Sequence, residues 1–369
     1  VDDRGPLLRP TIVGDATIVD GAAVSAETDD LPARVVALIG VARDRRTASA
    51  PADRRLAQAW CTAVGNANPL FWDDAVARFV TGGPVLPPST LPAWSRPRRE
   101  WPGQGTDPDL PAPAVDLPVP GFDLPGWLDL ADEVVTETAL TFHEPVRPDD
   151  VISYASTLRS VSGETSTALG VGRFWVIELD YRNQRDELVG IEATTHFGSQ
   201  QSLPASDPSS GQAAKAAALT ASASSSVTAP PVTAPPAEDD TSPGGPRLLD
   251  RVVVGESLPE VRHEVTGRVL DMVTQAAWFE RGLTDWTGPA GRPGWMTVGT
   301  QTPVVVGDVM TMSGRVRRAE VDATGCGWVD VDIRLTVGGR ARSRGSARIA
   351  VPVAPDDNPW DRRGDRWRP

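Results

Sequence analysis

The stretch Trp328-Val329-Asp330-Val331-Asp332-Ile333-Arg334-Leu335-Thr336-Val337 alternates apolar and polar side chains almost without a break. Successive side chains of a strand point to opposite faces, so Val329, Val331, Ile333, Leu335 and Val337 form one buried face of a strand. The turn-like Ala323-Thr324-Gly325-Cys326-Gly327 precedes it, and Gly338-Gly339 leads into a second candidate strand over 341–351. Tight turns between such runs predict an antiparallel meander. A comparable series lies upstream, over 134–142, 151–161, 173–181 and 188–197.

The two series share a local pattern. Pro145-Val146 is followed by Asp150-Val151, and Pro303-Val304 by Asp308-Val309, at identical spacing and between equivalent predicted strands. That coincidence points to an internal duplication. Between the series, residues 206–246 hold an alanine and serine tract and the prolines Pro230, Pro231, Pro235 and Pro236. A segment with so few large apolar groups builds no core of its own and reads as a linker. The expected organisation is a first domain over 1–205 with an N-terminal extension, a linker over 206–246, a second domain over 247–353 and a polar tail over 354–369. In that tail Asp361 and Asp365 dilute Arg362, Arg363, Arg366 and Arg368, which predicts a solvated segment.

Helical spacing replaces alternation over 52–64, where Leu56, Ala59, Trp60 and Ala63 recur before the Gly65-Asn66 break. Asn68 then caps, and Pro69 opens, a second predicted helix running past Trp72 and Val76 toward Phe79 and packing across the first sheet. In the second series a single helix, starting at Thr266 or Asp271, carries Met272, Ala276, Phe279 and Leu283 on one face and ends before Gly288-Pro289. Little sequence is left there for anything else, so the second domain is expected to be abbreviated.

Composition narrows the partners. A formal charge of −13 repels phosphates, so no nucleic-acid partner is expected. Cys61 and Cys326, the two cysteines, support neither a disulfide framework nor a zinc site. The chain has no apolar run of about 18 residues, and its first residues, with Asp2, Asp3 and Arg4, lack the core of a secretion signal. A cytoplasmic protein with no membrane partner is expected. Without a glycine-rich dinucleotide fingerprint, a Walker-type lysine motif or clustered metal ligands, no cofactor and no metal are expected.

The segment Gly65-Asn66-Ala67-Asn68-Pro69-Leu70-Phe71-Trp72-Asp73, followed by Ala77 and by Gly83-Pro84-Val85-Leu86-Pro87-Pro88-Ser89, resembles the signature of MaoC-like dehydratases. Tyr181-Arg182-Asn183-Gln184 and Glu187-Leu188-Val189 extend the likeness over most of the first domain, and 278–289 and 303–308 carry a more divergent form of it into the second. The resemblance implies an α+β fold, a tandem double hotdog whose antiparallel sheets wrap around central helices, and hydratase or dehydratase chemistry on an acyl thioester carried by coenzyme A or acyl carrier protein. A homodimer is compatible with it.

In catalytically intact relatives an aspartate before the central helix and a histidine on it work together on water and on the proton beside the thioester carbonyl. Here those positions resemble Asn66 and Phe71. An amide exchanges no proton near neutral pH and a phenyl ring has no acid-base group at all. The second domain omits the segment that would hold an equivalent pair, and His143, His196 and His263 fall in predicted strands, where a sheet-edge or surface role is the plainer reading.

The remaining candidates are these. Asn66, Asp73 and Glu280 are polar groups near the expected site, against the plainer readings of a turn, a helix cap and a helix surface. Gly83 resembles the position whose amide polarises a thioester carbonyl, against that of a turn glycine. Phe71, Pro87, Pro88, Trp94, Trp278 and Phe279 are expected to line an apolar ligand channel, against ordinary packing. Three functions follow: a repurposed lyase or cyclase acting on a hydrophobic acyl thioester or polyketide-like substrate by enclosure and carbonyl polarisation; a nonenzymatic ligand-binding or partner-supporting double hotdog; and a hydratase with an unrecognised acid-base pair.

Overall fold

The computed structural model describes residues 30–94, 122–201, 247–265 and 271–369, apart from Asp44, Ser49 and Ala168. Residues 1–29, the predicted linker and Thr266 as a helix start lie outside the described residues. In chain order the elements of the first half are α1 (Ala33–Val36), β1 (Arg46–Thr47), α2 (Arg54–Val64), α3 (Asp74–Thr81), α4 (Leu124–Trp127), β2 (Asp132–Phe142), β3 (Ser153–Val161), β4 (Thr165–Thr167), β5 (Gly170–Arg182) and β6 (Leu188–Ser199). Those of the second are β7 (Val261–Glu264), α5 (Met272–Thr287), β8 (Arg292–Thr300), β9 (Val309–Val321), β10 (Gly327–Val337) and β11 (Arg340–Val351).

All the described strands join one sheet in the order β1-β3-β5-β6-β2-β8-β11-β10-β9-β7, with β4 beside β5. Read outward from its middle, β2-β6-β5-β3 is matched by β8-β11-β10-β9, so the two strand series are two copies of one meander. They meet edge to edge, β2 antiparallel to β8, with Leu140 opposite Met296 and Ala139 opposite Thr297. Edge strands carry unpaired backbone groups, and this pairing satisfies them on both copies at once. The repeated motif closes the same turn twice: the Arg147 amide donates to Asp150 at 2.8 Å and the Val305 amide to Asp308 at 3.0 Å.

The helix layer is not duplicated. Helix α5 crosses the sheet at the seam, where Gln275 Nε2 donates to Thr300 Oγ1 at 3.2 Å and the Thr138 hydroxyl reaches Met272 Sδ at 3.5 Å. Gly345 on β11 lets it settle: a Cβ there would lie 2.6 Å from the Phe279 ring. Buried Ala276, Phe279 and Leu283 pack with Leu140, Met296, Val298 and Ala347 into the main core.

Three expectations are corrected. The helix predicted from Asn68 to Phe79 is broken into a 3-10 turn at Pro69–Phe71 and α3, because Asp73 caps a fresh start and a capping residue needs extended backbone (φ −111°, ψ 113°). That helix does not cover the sheet; its outer face leaves Phe79 89% exposed, and α5 takes the covering role. The tail is docked rather than solvated: Trp360 and Trp367 are buried, and Asn358 donates to the Val80 carbonyl at 2.7 Å. Among the described residues no helix is long and apolar enough to cross a membrane.

Candidate functional site

The family-like segment folds through local capping. The Asp53 carboxylate accepts from the Arg55 and Leu56 amides to start α2, and the helix ends at Gly65 in the left-handed region (φ 63°). A side chain there would be strained by the left-handed backbone and would displace the Arg281 guanidinium, 2.7 Å from the added Cβ. Arg281 of α5 donates instead to the Val64 carbonyl at 2.6 Å, tying the second half to the end of α2. Next, buried Asn66 accepts from the Asn68 amide at 3.0 Å through its side chain and from Trp72 Nε1 at 2.9 Å through its carbonyl.

Each candidate in this segment has a structural occupation. Phe71 is packed with Cys61, Leu70, Val80, Val85 and Trp360. Asp73 caps α3 by accepting from Ala75 and Val76. The Gly83 amide, read above as a carbonyl-polarising donor, is engaged by the Ala77 carbonyl at 3.3 Å, and its own carbonyl accepts from Thr81 Oγ1 at 2.6 Å. No proton-transferring side chain therefore stands at the Asn66 and Phe71 positions.

Glu280 differs from these. It sits on α5, fully buried, and reaches into the first half to accept from the Ser89 amide at 2.7 Å. Its second oxygen, Oε1, is buried with no hydrogen-bond partner among the described residues. Burial pushes its carboxyl up to about 7, against the pull of the Ser89 hydroxyl and amide. Trp60 Nε1 donates to Ser89 Oγ at 3.4 Å, and burial, aided by Glu280, pushes the neighbouring Cys61 thiol up to about 12. The sequence reading set Glu280 as a candidate against a plain helix-surface position; the surface alternative fails, because α5 is buried on nearly all sides, with the sheet beneath it and the first half above.

Of the expected channel residues, Pro88 lines a described cleft, at the end of β2 and the start of β8. Leu86, Leu91, Phe142, His143, Arg292 and Trp360 complete its main walls around a cavity of about 20 Å³. Pro87 holds the turn at Thr90, accepting from its amide at 2.9 Å and its hydroxyl at 2.6 Å. Trp94 is buried with its Nε1 unpartnered among the described residues, Trp278 packs with its ring centroid 4.5 Å from that of His263, and Phe279 lies on the sheet.

Sequence reasoning missed Arg292 in the polar floor of this cleft and read His143 as a sheet-edge or surface residue, whereas the fold encloses it. His143 is largely enclosed, its Nε2 has no partner, and burial together with Arg292 pushes it down to about 4. It is thus neutral at physiological pH. Arg292, 2% exposed, donates to the carbonyls of Pro359 at 3.1 Å, Arg362 at 2.8 Å and His143. Its guanidinium lies 3.6 Å from the Trp367 ring centroid and 5.5 Å from that of Trp360. His196 is also buried rather than at a surface, bonded to Glu133 at 2.5 Å and to Thr194 at 2.9 Å. The only signal for Arg292 was a lone arginine between Gly291 and Pro293 at the mouth of a predicted strand.

Comparison with known proteins bears on this geometry. Residues 37–192 match the FAS1-like dehydratase domain region. A protein of Thermomonospora curvata described as a probable enoyl-CoA hydratase alpha subunit is 29% identical over 167 residues, 44% of this chain and 50% of that protein. The chain therefore spans about half the length of this relative. Among solved structures, a MaoC-like dehydratase superposes with a TM-score of 0.54 at 15% identity, over 86% of this chain and 99% of the other. A conserved hypothetical protein from Mycobacterium tuberculosis with a double hotdog fold gives 0.52 at 13% identity, over 88% and 97%. The double hotdog expected from the sequence, and its resemblance to the MaoC-like dehydratases, both hold.

Proposed function

We propose, starting from a double hotdog with a FAS1-like dehydratase region in its first half, that this chain holds an acyl-CoA thioester for hydratase or dehydratase chemistry whose proton-transfer pair is supplied by a second hotdog chain. One observation carries this reading: Asn66 and Phe71 stand where the family's aspartate and histidine are expected, and both are committed to internal contacts. The description of the Thermomonospora curvata relative as an alpha subunit supports a division of labour between chains. In this role enclosure and orientation are the chain's contribution, and they lower the barrier without any proton transfer of its own.

The test is a hydration assay with crotonyl-CoA. The chain alone is expected to bind crotonyl-CoA without hydrating it, and to support turnover once a second hotdog chain carrying the aspartate and histidine is added. Robust hydration by the chain alone overturns the reading. Glu280 favours a second reading, a repurposed lyase or cyclase, because a buried carboxyl near neutral pKa with one free oxygen can donate or accept a proton. Turnover by the chain alone that disappears in Glu280→Gln would select it.

A further inference from the structure

The segment that follows β11 packs back against the first half. Trp360 enters the cluster of Cys61, Leu70, Phe71, Val80 and Val85, and its Nε1 donates to the Pro289 carbonyl at 3.1 Å. Trp367 packs 4.9 Å from Trp328 and donates to the Phe142 carbonyl at 2.8 Å. Between these two rings lies Arg292.

A buried guanidinium is costly unless its charge is met, and a carboxylate is the strongest common partner. Among the described residues no carboxylate forms an ion pair with Arg292: Glu144, at the same cleft and near enough to act on it electrostatically, is paired with Arg363 at 2.8 Å, and Arg292 donates to neutral carbonyls, two of which come from the returning segment. Beside it the buried Nε2 of His143 has no partner. Leu86, Pro88, Leu91 and Phe142 make one wall apolar, while Glu144, paired with Arg363, adds a carboxylate to the lining. A polarising donor and a neutral imidazole beside an apolar wall match a ligand with an acyl chain and a carbonyl head.

We propose that this seam is an acyl-thioester site and that residues 358–363 are its intramolecular occupant, with Trp360 standing where the acyl chain lies and the Pro359 and Arg362 carbonyls standing where the thioester oxygen meets Arg292. The proposal rests on the acyl-thioester reading above and adds the site, the polar contact and the competitor. An internal competitor lowers apparent affinity by the fraction of time the site is open.

Octanoyl-CoA is the probe. In the unmodified chain, hydrogen exchange of the backbone amides over 358–363 is expected to rise about tenfold when octanoyl-CoA is saturating, while β10 and β11 amides stay protected. Trp360→Ala is expected to bind octanoyl-CoA about tenfold more tightly than the unmodified chain, and Arg292→Met in that background to lose the gain. Octanoyl-CoA bound with exchange over 358–363 unchanged or slowed overturns the competitor and leaves the acyl-thioester reading standing. Absence of binding by both the unmodified chain and Trp360→Ala overturns both. Because the exchange measurement uses the unmodified chain, it decides the question even if Trp360→Ala does not fold.

Discussion

The two halves share a sheet plan and differ in what covers it. Their meanders mirror one another across the β2–β8 seam, and even the turns at Asp150 and Asp308 accept the same amide three residues upstream. The first half, however, places short capped helices at its rim and a 3-10 turn at Pro88–Trp94 over its strands, whereas the second sends a 16-residue helix across the seam. A duplicated sheet needs only enough helix to bury its shared apolar face. Once α5 spans both copies, the first half's helices are released from that task, and their surfaces are free for other uses.

This division gives the largest expected effect. Truncating Trp278, 1% exposed on α5, is expected to cost about 3–5 kcal/mol in denaturant unfolding, as for large buried aromatics. Truncating Phe79 on α3 is expected to change stability by less than about 0.5 kcal/mol, as for exposed positions. Equal losses at the two positions would show that both helix layers carry the core alike.

Glu280 sharpens the comparison, since it is the polar contact α5 makes with the first half's turn. Its pKa in the fold, about 7, lies above the ordinary 4.5, so the folded chain holds a proton that the unfolded chain releases. Its contribution is fully present below about pH 4.5 and is lost as pH rises to 7, levelling off above that. Relative to Glu280→Gln, the unmodified chain should lose about 3 kcal/mol between pH 4 and pH 8. A flat difference across that range would mean the carboxyl is ionised in the fold and its second oxygen is satisfied.

The smallest effect tests the duplicated turns. Asp150 is buried and also accepts from Gln184 Nε2 at 2.9 Å, while Asp308 is half-buried and serves the Val305 amide. Asp150→Ala is expected to cost about 2 kcal/mol and Asp308→Ala about 1 kcal/mol, since a buried donor left without its acceptor is the more expensive loss. Equal costs would mean that burial does not distinguish the two copies.

Much of this architecture was legible in local chemistry. Alternation at Trp328–Val337 became β10, with Val329, Val331, Ile333 and Leu335 buried. The seven-residue repeat located two equivalent turns. The cap at Asn68 was real, but a second cap at Asp73 broke the helix drawn through it, because periodicity over a dozen residues does not distinguish one helix from two short turns. At the candidate site the side chains of Asn66 and Phe71 show from the sequence alone that neither transfers a proton.

What the residues determined by themselves were the properties that depend on neighbours in the chain: strand faces, caps, turns, and the absence of proton-transfer groups at two positions. Only the tertiary structure decided which groups share a dry space. Glu280 on an amphipathic pattern reads as a surface residue until a second layer closes over α5 and its carboxyl meets Ser89. Arg292 and Trp360 lie 68 positions apart, and the arginines of the tail read as solvated until Asn358 and Trp360 anchor the segment. Burial and the pairing of charges depend on which surfaces meet, and those meetings join residues whose separation in sequence carries no periodic signal.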